Sequence, residues 1–182
     1  MSQSILDTLV ENARKAATSD QPTPAIRQVL RDSLADRDTV ADAIAATEED
    51  EVLLFEDDTC SIWSCRYDAN VVFAPHEHCV PVHIAVYRGA EVQVLYHRDS
   101  NRLRHAANKT VPAGEIISLG ADAVHAITAE GPGHSHAIHI YQGPLTRIER
   151  SLFDWTSGRE IAFTIENFHA LQRRKSEMEE FR

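Results

Sequence analysis

The sequence predicts a mainly β protein, a small sandwich or barrel of short strands with helical segments before and after it. Two observations carry this. From about residue 51 onward, short apolar runs recur at near-regular spacing between turn-forming clusters. Before residue 47 and after residue 164 the apolar residues instead recur at helical spacing. The chain divides accordingly into an N-terminal helical cap over 1–50, a barrel over 51–164 and a C-terminal helix over 165–182.

Within the cap, Ile5, Leu6, Leu9 and Val10 mark a first helix, and Ile26, Val29, Leu30 and Leu34 a second. Asp20-Gln21-Pro22-Thr23-Pro24 separates them. Arg37-Asp38-Thr39 opens a third short helix, Val40 to Ala46. Such a cap packs on a sheet or on a second subunit, so a homodimer is one expectation. The strands follow: Val52–Phe55, Cys60–Cys65, Asn70–Phe73, Val82–Tyr87, Ala90–Tyr96, Ile116–Leu119, Ala123–Thr128 and His136–Tyr141. Arg88-Gly89, Pro112-Ala113-Gly114-Glu115 and Gly131-Pro132-Gly133 supply turns. The tail, Ile165 to Phe181, is charged and reads as helical.

The 182 residues include 43% hydrophobic and 25% charged, an ordinary globular composition, with a formal net charge of −10. A chain this acidic, whose longest basic cluster is Arg173-Arg174-Lys175, is a poor partner for a phosphate backbone, so no nucleic acid is expected. No apolar run approaches the ~20 residues that span a bilayer. The opening stretch MSQSILDTLVENARKAA lacks the basic start and apolar core of a signal peptide. Cys60, Cys65 and Cys79 show no framework spacing and read as free thiols of a reducing compartment. A cytoplasmic location is the resulting expectation.

The chemistry concentrates in "APHEHCVPVHIAVYRGAEVQVLYH", residues 74–97. His76 and His78 are two apart, and on a strand i and i+2 side chains share a face. A third imidazole, His125, lies on a later strand, and three such ligands suit iron, zinc, copper or nickel. The chain holds ten histidines, so an isolated HxH pair is a weak signal. Pro75, Gly89 eleven residues after His78, and Pro112-x-Gly114 ahead of His125 strengthen it.

This pattern resembles the two signature motifs of the cupin superfamily, whose fold is the double-stranded β-helix or jelly-roll barrel. The resemblance covers residues 52–150. In cupins a glutamate ligand usually follows the second histidine by four or five residues. Those positions here are Val82 and His83, so the implied set is three neutral histidines. Within cupins, "HEHCVPVHIAVYRGAE", "LGADAVHAI" and "AIHIYQG" are similar to the cysteine-dioxygenase-type thiol dioxygenases, above all the bacterial branch that includes 3-mercaptopropionate dioxygenase. That family converts a thiol and O2 to a sulfinic acid at a mononuclear ferrous iron. The resemblance implies Fe(II) as cofactor, a small thiol and O2 as partners, and His76, His78 and His125 as metal ligands. His139 and Tyr141 match two members of the family's serine-histidine-tyrosine relay, and Arg150 matches an arginine that pairs with the substrate carboxylate.

Three departures stand out. Ala137 occupies the place of the relay serine, so the outer hydrogen bond that orients the histidine is expected to be missing. Val82 stands where some cysteine dioxygenases carry a cross-linking cysteine, which excludes that cross-link; Cys79, close by, reads as a small buried thiol. His83 has no family equivalent: counted from His78 it reaches the metal, counted from Gly89 it faces away. Arg147 is an alternative to Arg150, and Arg66 a further cation, read as a surface group. His97, His105, His134, His136 and His169 read as solvent-facing, and Trp63 and Trp155 as core. Two further functions fit the same residues. One is a three-histidine cupin acting on a non-thiol substrate, by β-diketone-type dioxygenation or by hydrolysis at zinc. The other is a metal-binding sensory or structural cupin.

Overall fold

A computed structural model describes residues 4–99 and 102–178. Helix α1 (Ile5–Ala17) opens on a capping box. Ser4 Oγ accepts from the Asp7 N–H, and the Asp7 carboxylate accepts from the Ser4 N–H. Pro22 begins α2 (Pro22–Ser33) where a missing N–H costs nothing. The Asp20–Pro24 break thus ends inside the second helix. A 3₁₀ turn, Leu34–Asp36, leads into α3 (Arg37–Ala45).

The strands are β1 (Glu51–Glu56), β2 (Ser61–Asp68), β3 (Val71–Glu77), β4 (Val82–Arg88), β5 (Ala90–Asp99) and β6 (Arg102–Pro112), then β7 (Ile116–Leu119), β8 (Val124–Glu130) and β9 (His134–Tyr141). Short strands β10 (Ser151–Phe153), β11 (Glu160–Ala162) and β12 (Arg173–Arg174) complete the set, with helix α4 (Ile165–Ala170) between the last two. One antiparallel sheet runs β1-β2-β9-β4-β7 and the other β11-β10-β3-β8-β5-β6, with β12 added on β3. From β3 to β10 the chain crosses between the sheets at almost every connection. This is the winding of a double-stranded β-helix, the cupin barrel.

Gly89 makes one such crossing. Arg88-Gly89 therefore joins strands of different sheets and not the arms of a hairpin. Its φ is +69°, and a Cβ there would lie 3.1 Å from the His134 carbonyl oxygen and 3.3 Å from Ser135 Cα.

The five-stranded sheet is buried on both faces. Outward, Ile62, Ala85, Tyr87, Ile138 and Ile140 meet Leu9, Ala13, Ile26, Leu30, Val40 and Ile44 of the helices. Tyr87 Oη lies 2.6 Å from Ser33 Oγ. Inward, Ile84, Val86, Ile117, Ala137 and Tyr141 fill the barrel. The cap thus packs on the chain's own sheet. β4 and β9 are buried along almost their whole length because neither of their faces meets water.

The tail departs from the helical expectation. Helix α4 stops at Ala170; Arg173 and Arg174 then pair with Val72 and Val71 of β3, and a 3₁₀ turn follows at Lys175–Glu177. The free backbone edge of β3 captures these residues, while Phe168 and Met178 bury on either side. The remainder of the expected helix, 179–182, lies outside the described residues. No helix among the described residues is long and apolar enough to cross a membrane.

Candidate metal centre

His76, near the end of β3, and His125, early in β8, are direct cross-strand partners. His78 follows β3 by one residue and turns back toward them. The three rings sit 4.5–5.0 Å apart by centroid, all buried, with their candidate ligand atoms within 4.8 Å of one another. His78 Nε2 and His125 Nε2 are 3.2 Å apart. Two nitrogens bound ~2.1 Å from a common ion stand about 3.0–3.4 Å apart, so this pair already has the spacing of ligands.

The outer nitrogens also suit a metal. His76 Nδ1 lies 2.8 Å from the Ala74 carbonyl oxygen, to which it donates, and His125 Nδ1 donates to Gln93 Oε1 at 2.6 Å. Each bond leaves the Nε2 lone pair free and directed at the cluster. His78 Nδ1 is buried without a partner among the described residues. The donor set is three neutral imidazoles, and it fits a divalent borderline metal.

Burial holds the rings neutral. It pulls His76 down to about 3 from the ordinary 6.5, and His78 and His125 well below 6.5. In the unfolded chain these groups bind a proton near 6.5. Above that value they add no pH dependence, and as pH falls from 6.5 toward 3 the unfolded state gains protons that the folded state refuses. Metal-free protein is therefore expected to lose stability as pH falls below 6.5, by roughly 1 kcal/mol per pH unit for each such imidazole. His83 and His136, also lowered by burial, act in the same direction. Urea denaturation at pH 7 and pH 5.5 measures this, and equal midpoints would contradict it.

Beside the metal cluster lies a cavity of about 360 Å³, lined by His76, His78, Tyr141, Arg150, Glu51, Tyr67, Trp63 and Phe163, among others. The Tyr141 ring stands 4.9 Å from His78. Arg150 Cζ lies 3.2 Å from the centre of the Phe163 ring, a cation–π contact, and no carboxylate among the described residues forms an ion pair with it. Burial lowers the Arg150 guanidinium from its usual value. Arg147 instead pairs with Asp58 at 2.8 Å and Glu56 at 3.6 Å, and Arg66 with Asp50 at 3.0 Å. Of the three arginines, Arg150 alone lines this cavity. Glu51 accepts a hydrogen bond from Tyr67 Oη at 3.1 Å, and burial raises its carboxyl above the usual range.

His83 faces away from the metal cluster. It follows the parity of Ala85 and Tyr87, toward the cap, with Nδ1 2.7 Å from Ser118 Oγ and Nε2 3.1 Å from Gln142 Oε1. Arg27 donates to the same Ser118 and Thr23 to the same Gln142, so His83 is a pin between α2 and the barrel. His97, His105, His134 and His169 are exposed as expected.

Four expectations need correction. His136 is buried, its Nδ1 3.1 Å from the Ala41 carbonyl oxygen, because the cap covers that face of β9. Cys79 is exposed, at the turn after His78, in a left-handed conformation with φ +59°. Trp63 lines the cavity, because β2 places it on the barrel's inner face. The hydrogen bond lost with a serine at 137 is also replaced. His139 Nδ1 lies 3.3 Å from Tyr141 Oη, and on its other side His139 Nε2 lies 3.1 Å from Glu91 Oε1. Neither Glu91 nor Gln93 was expected at the site. The signal was available in "GAEVQVLYH": two polar residues two apart among valines on one strand.

No family profile matches the chain, and no curated protein matches it. Solved structures do resemble it. A Bacillus halodurans protein is 14% identical over 58% of this chain and 78% of its own, with a TM-score of 0.49. A cupin superfamily protein of Desulfitobacterium hafniense is 16% identical over 50% of this chain and 74% of its own, with a TM-score of 0.41. An 11S globulin of Wrightia tinctoria is 14% identical over 52% of this chain, with a TM-score of 0.42, and the match spans only 22% of that globulin. Each of these matches covers little more than half of this chain, and the fold assignment rests on the strand order itself. The chain is thus a cupin-fold protein with three histidines clustered for metal binding.

Proposed function

We propose that the protein is a mononuclear iron thiol dioxygenase, which joins both atoms of O2 to the sulfur of a small thiol: R–SH + O2 gives R–SO2H. Ferrous iron held by His76, His78 and His125 would supply a Lewis-acidic centre that lowers a thiol's pKa and a redox partner for O2. The observation that carries the reading is Arg150, in the same cavity as His76 and His78, with no salt bridge among the described residues and with Glu51 as an acidic neighbour in that cavity. A guanidinium there is a bidentate seat for a carboxylate at the far end of a short thiol. Tyr141, packed against His78 and hydrogen-bonded to His139, offers a polar hydroxyl where the sulfur would react. Trp63, Phe163 and Phe168 line the same cavity with aromatic surface.

The test is oxygen consumption by anaerobically purified, Fe(II)-loaded protein with cysteine, 3-mercaptopropionate, mercaptosuccinate and cysteamine. One O2 consumed per thiol, with sulfinate as product, is expected. Arg150→Gln should raise KM for the carboxylated thiols and leave cysteamine, which has no carboxylate, unaffected. Absence of uptake with every thiol overturns the proposal. Glu51, held toward its protonated form and bonded to Tyr67 in the cavity, favours one second reading, a carbon acid such as a β-diketone as substrate. Adding 2,4-pentanedione to the same panel distinguishes the two.

A further inference from the structure

A chain of buried hydrogen bonds crosses the barrel from one sheet to the other. It starts at His125 on β8, whose Nδ1 meets Gln93 Oε1 at 2.6 Å. Gln93 Nε2 donates to Glu91 Oε2 at 3.0 Å. Glu91 Oε1 lies 3.1 Å from His139 Nε2, on β9 of the opposite sheet. His139 Nδ1 lies 3.3 Å from Tyr141 Oη. Glu91 and Gln93 are 0% exposed, and His125 and His139 nearly so. Glu91 and Gln93 share the inward face of β5, while Val92 and Val94 between and beyond them pack outward with Val72, Ala126 and Met178.

The carboxylate at the centre decides every proton in this chain, because a carboxylate only accepts. Gln93 must therefore turn its NH2 toward Glu91 and its carbonyl oxygen toward His125. His125 must then carry its proton on Nδ1, which leaves Nε2 bare on the metal side. On the other arm His139 must carry a proton on Nε2 and meet Tyr141 through Nδ1. An amide in place of the carboxylate would exchange one acceptor oxygen for an NH2 group and so satisfy only one arm in this sense.

The geometry points to Glu91 as a positioning residue that sets the proton polarity of both the metal ligand His125, through Gln93, and the His139–Tyr141 pair. It also puts a negative charge two hydrogen bonds behind a ligand set that has none of its own. The inference holds whatever the substrate, since it concerns the metal and the two imidazoles alone.

Long-range 1H–15N spectra of metal-free protein labelled at histidine read the tautomers directly. Zn(II) affinity, by competition with a chelating dye, reads the metal arm. In the unsubstituted protein His139 is expected to be protonated on Nε2, and His125 on Nδ1 with Nε2 bare. Glu91→Gln should disturb the His139 tautomer and weaken Zn(II) binding by about tenfold or more. Gln93→Leu should weaken Zn(II) binding while leaving the His139 tautomer in place. A bare His139 Nε2 in the unsubstituted protein overturns the inference. So do unchanged tautomers and an affinity within twofold in Glu91→Gln. Should Glu91→Gln not fold, the unsubstituted spectrum and Gln93→Leu decide alone, and unchanged affinity in Gln93→Leu overturns the metal arm.

Discussion

His78→Ala is expected to lower Zn(II) or Fe(II) affinity by about a hundredfold or more, while the metal-free protein changes in stability by about 1 kcal/mol or less. The asymmetry follows from the ring's surroundings. His76 and His125 each hold a partner on the outer nitrogen, so removing either strands a buried carbonyl oxygen as well as a ligand. His78 Nδ1 has no such partner among the described residues, and the ring borders a cavity. Its loss removes a ligand and a poorly satisfied polar group together. His83→Ala is the matched control. That ring is equally buried on the same segment but faces the cap, so metal affinity should hold. Isothermal titration on the three proteins checks both statements. Equal affinities for His78→Ala and the unsubstituted protein would remove His78 from the ligand set.

Ile138→Ala carries the largest expected loss of stability, about 2–5 kcal/mol. Ile138 is 0% exposed and sits in the cluster that joins the helices to the outer face of the five-stranded sheet. The substitution also tests whether cap and barrel unfold together. Both tryptophans, Trp63 and Trp155, lie outside the cap, so their fluorescence reports the barrel, while circular dichroism at helical wavelengths reports mainly the cap. The two signals are expected to be lost at one urea concentration, and that concentration should fall in the variant. A helical signal lost ahead of the fluorescence would make the cap a separate unit.

The parts of the site that were legible in the sequence depend on local spacing. His76-x-His78 and His139-x-Tyr141 are i, i+2 pairs; β9 puts the second pair on one face, and His78, one residue past the end of β3, still falls on the His76 side. The barrel was legible for the same reason, as short apolar runs between turns. What escaped depends on what lies opposite. Glu91 and Gln93 look like solvent-facing residues of an alternating strand until β5 is found in the middle of a sheet, where its second face is the barrel interior. His136 looks like a solvent-facing residue at the start of a strand until the cap is placed over it. The charge and spacing of the tail allow a helix, and only the open edge of β3 makes a strand the better use of Arg173 and Arg174. The role of His83 was decidable by parity from Gly89 but not from His78, because the chain between His78 and β4 passes through a turn at Cys79 that resets the count.

The burial of β9 on both faces bears on how the chain finds its register. Its even and odd residues have separate destinations: Ile138 and Ile140 under the helices, Ala137, His139 and Tyr141 inside the barrel. In a sheet with one wet face, a strand shifted by one residue trades apolar groups for polar ones on a single side. Here the same shift would press His139 and Tyr141 against the apolar helices and, at once, leave Glu91 facing isoleucine. A slipped strand is therefore penalised twice, by two unrelated sets of neighbours. The cap helices act as a proofreader of strand register for a cavity that none of their residues lines.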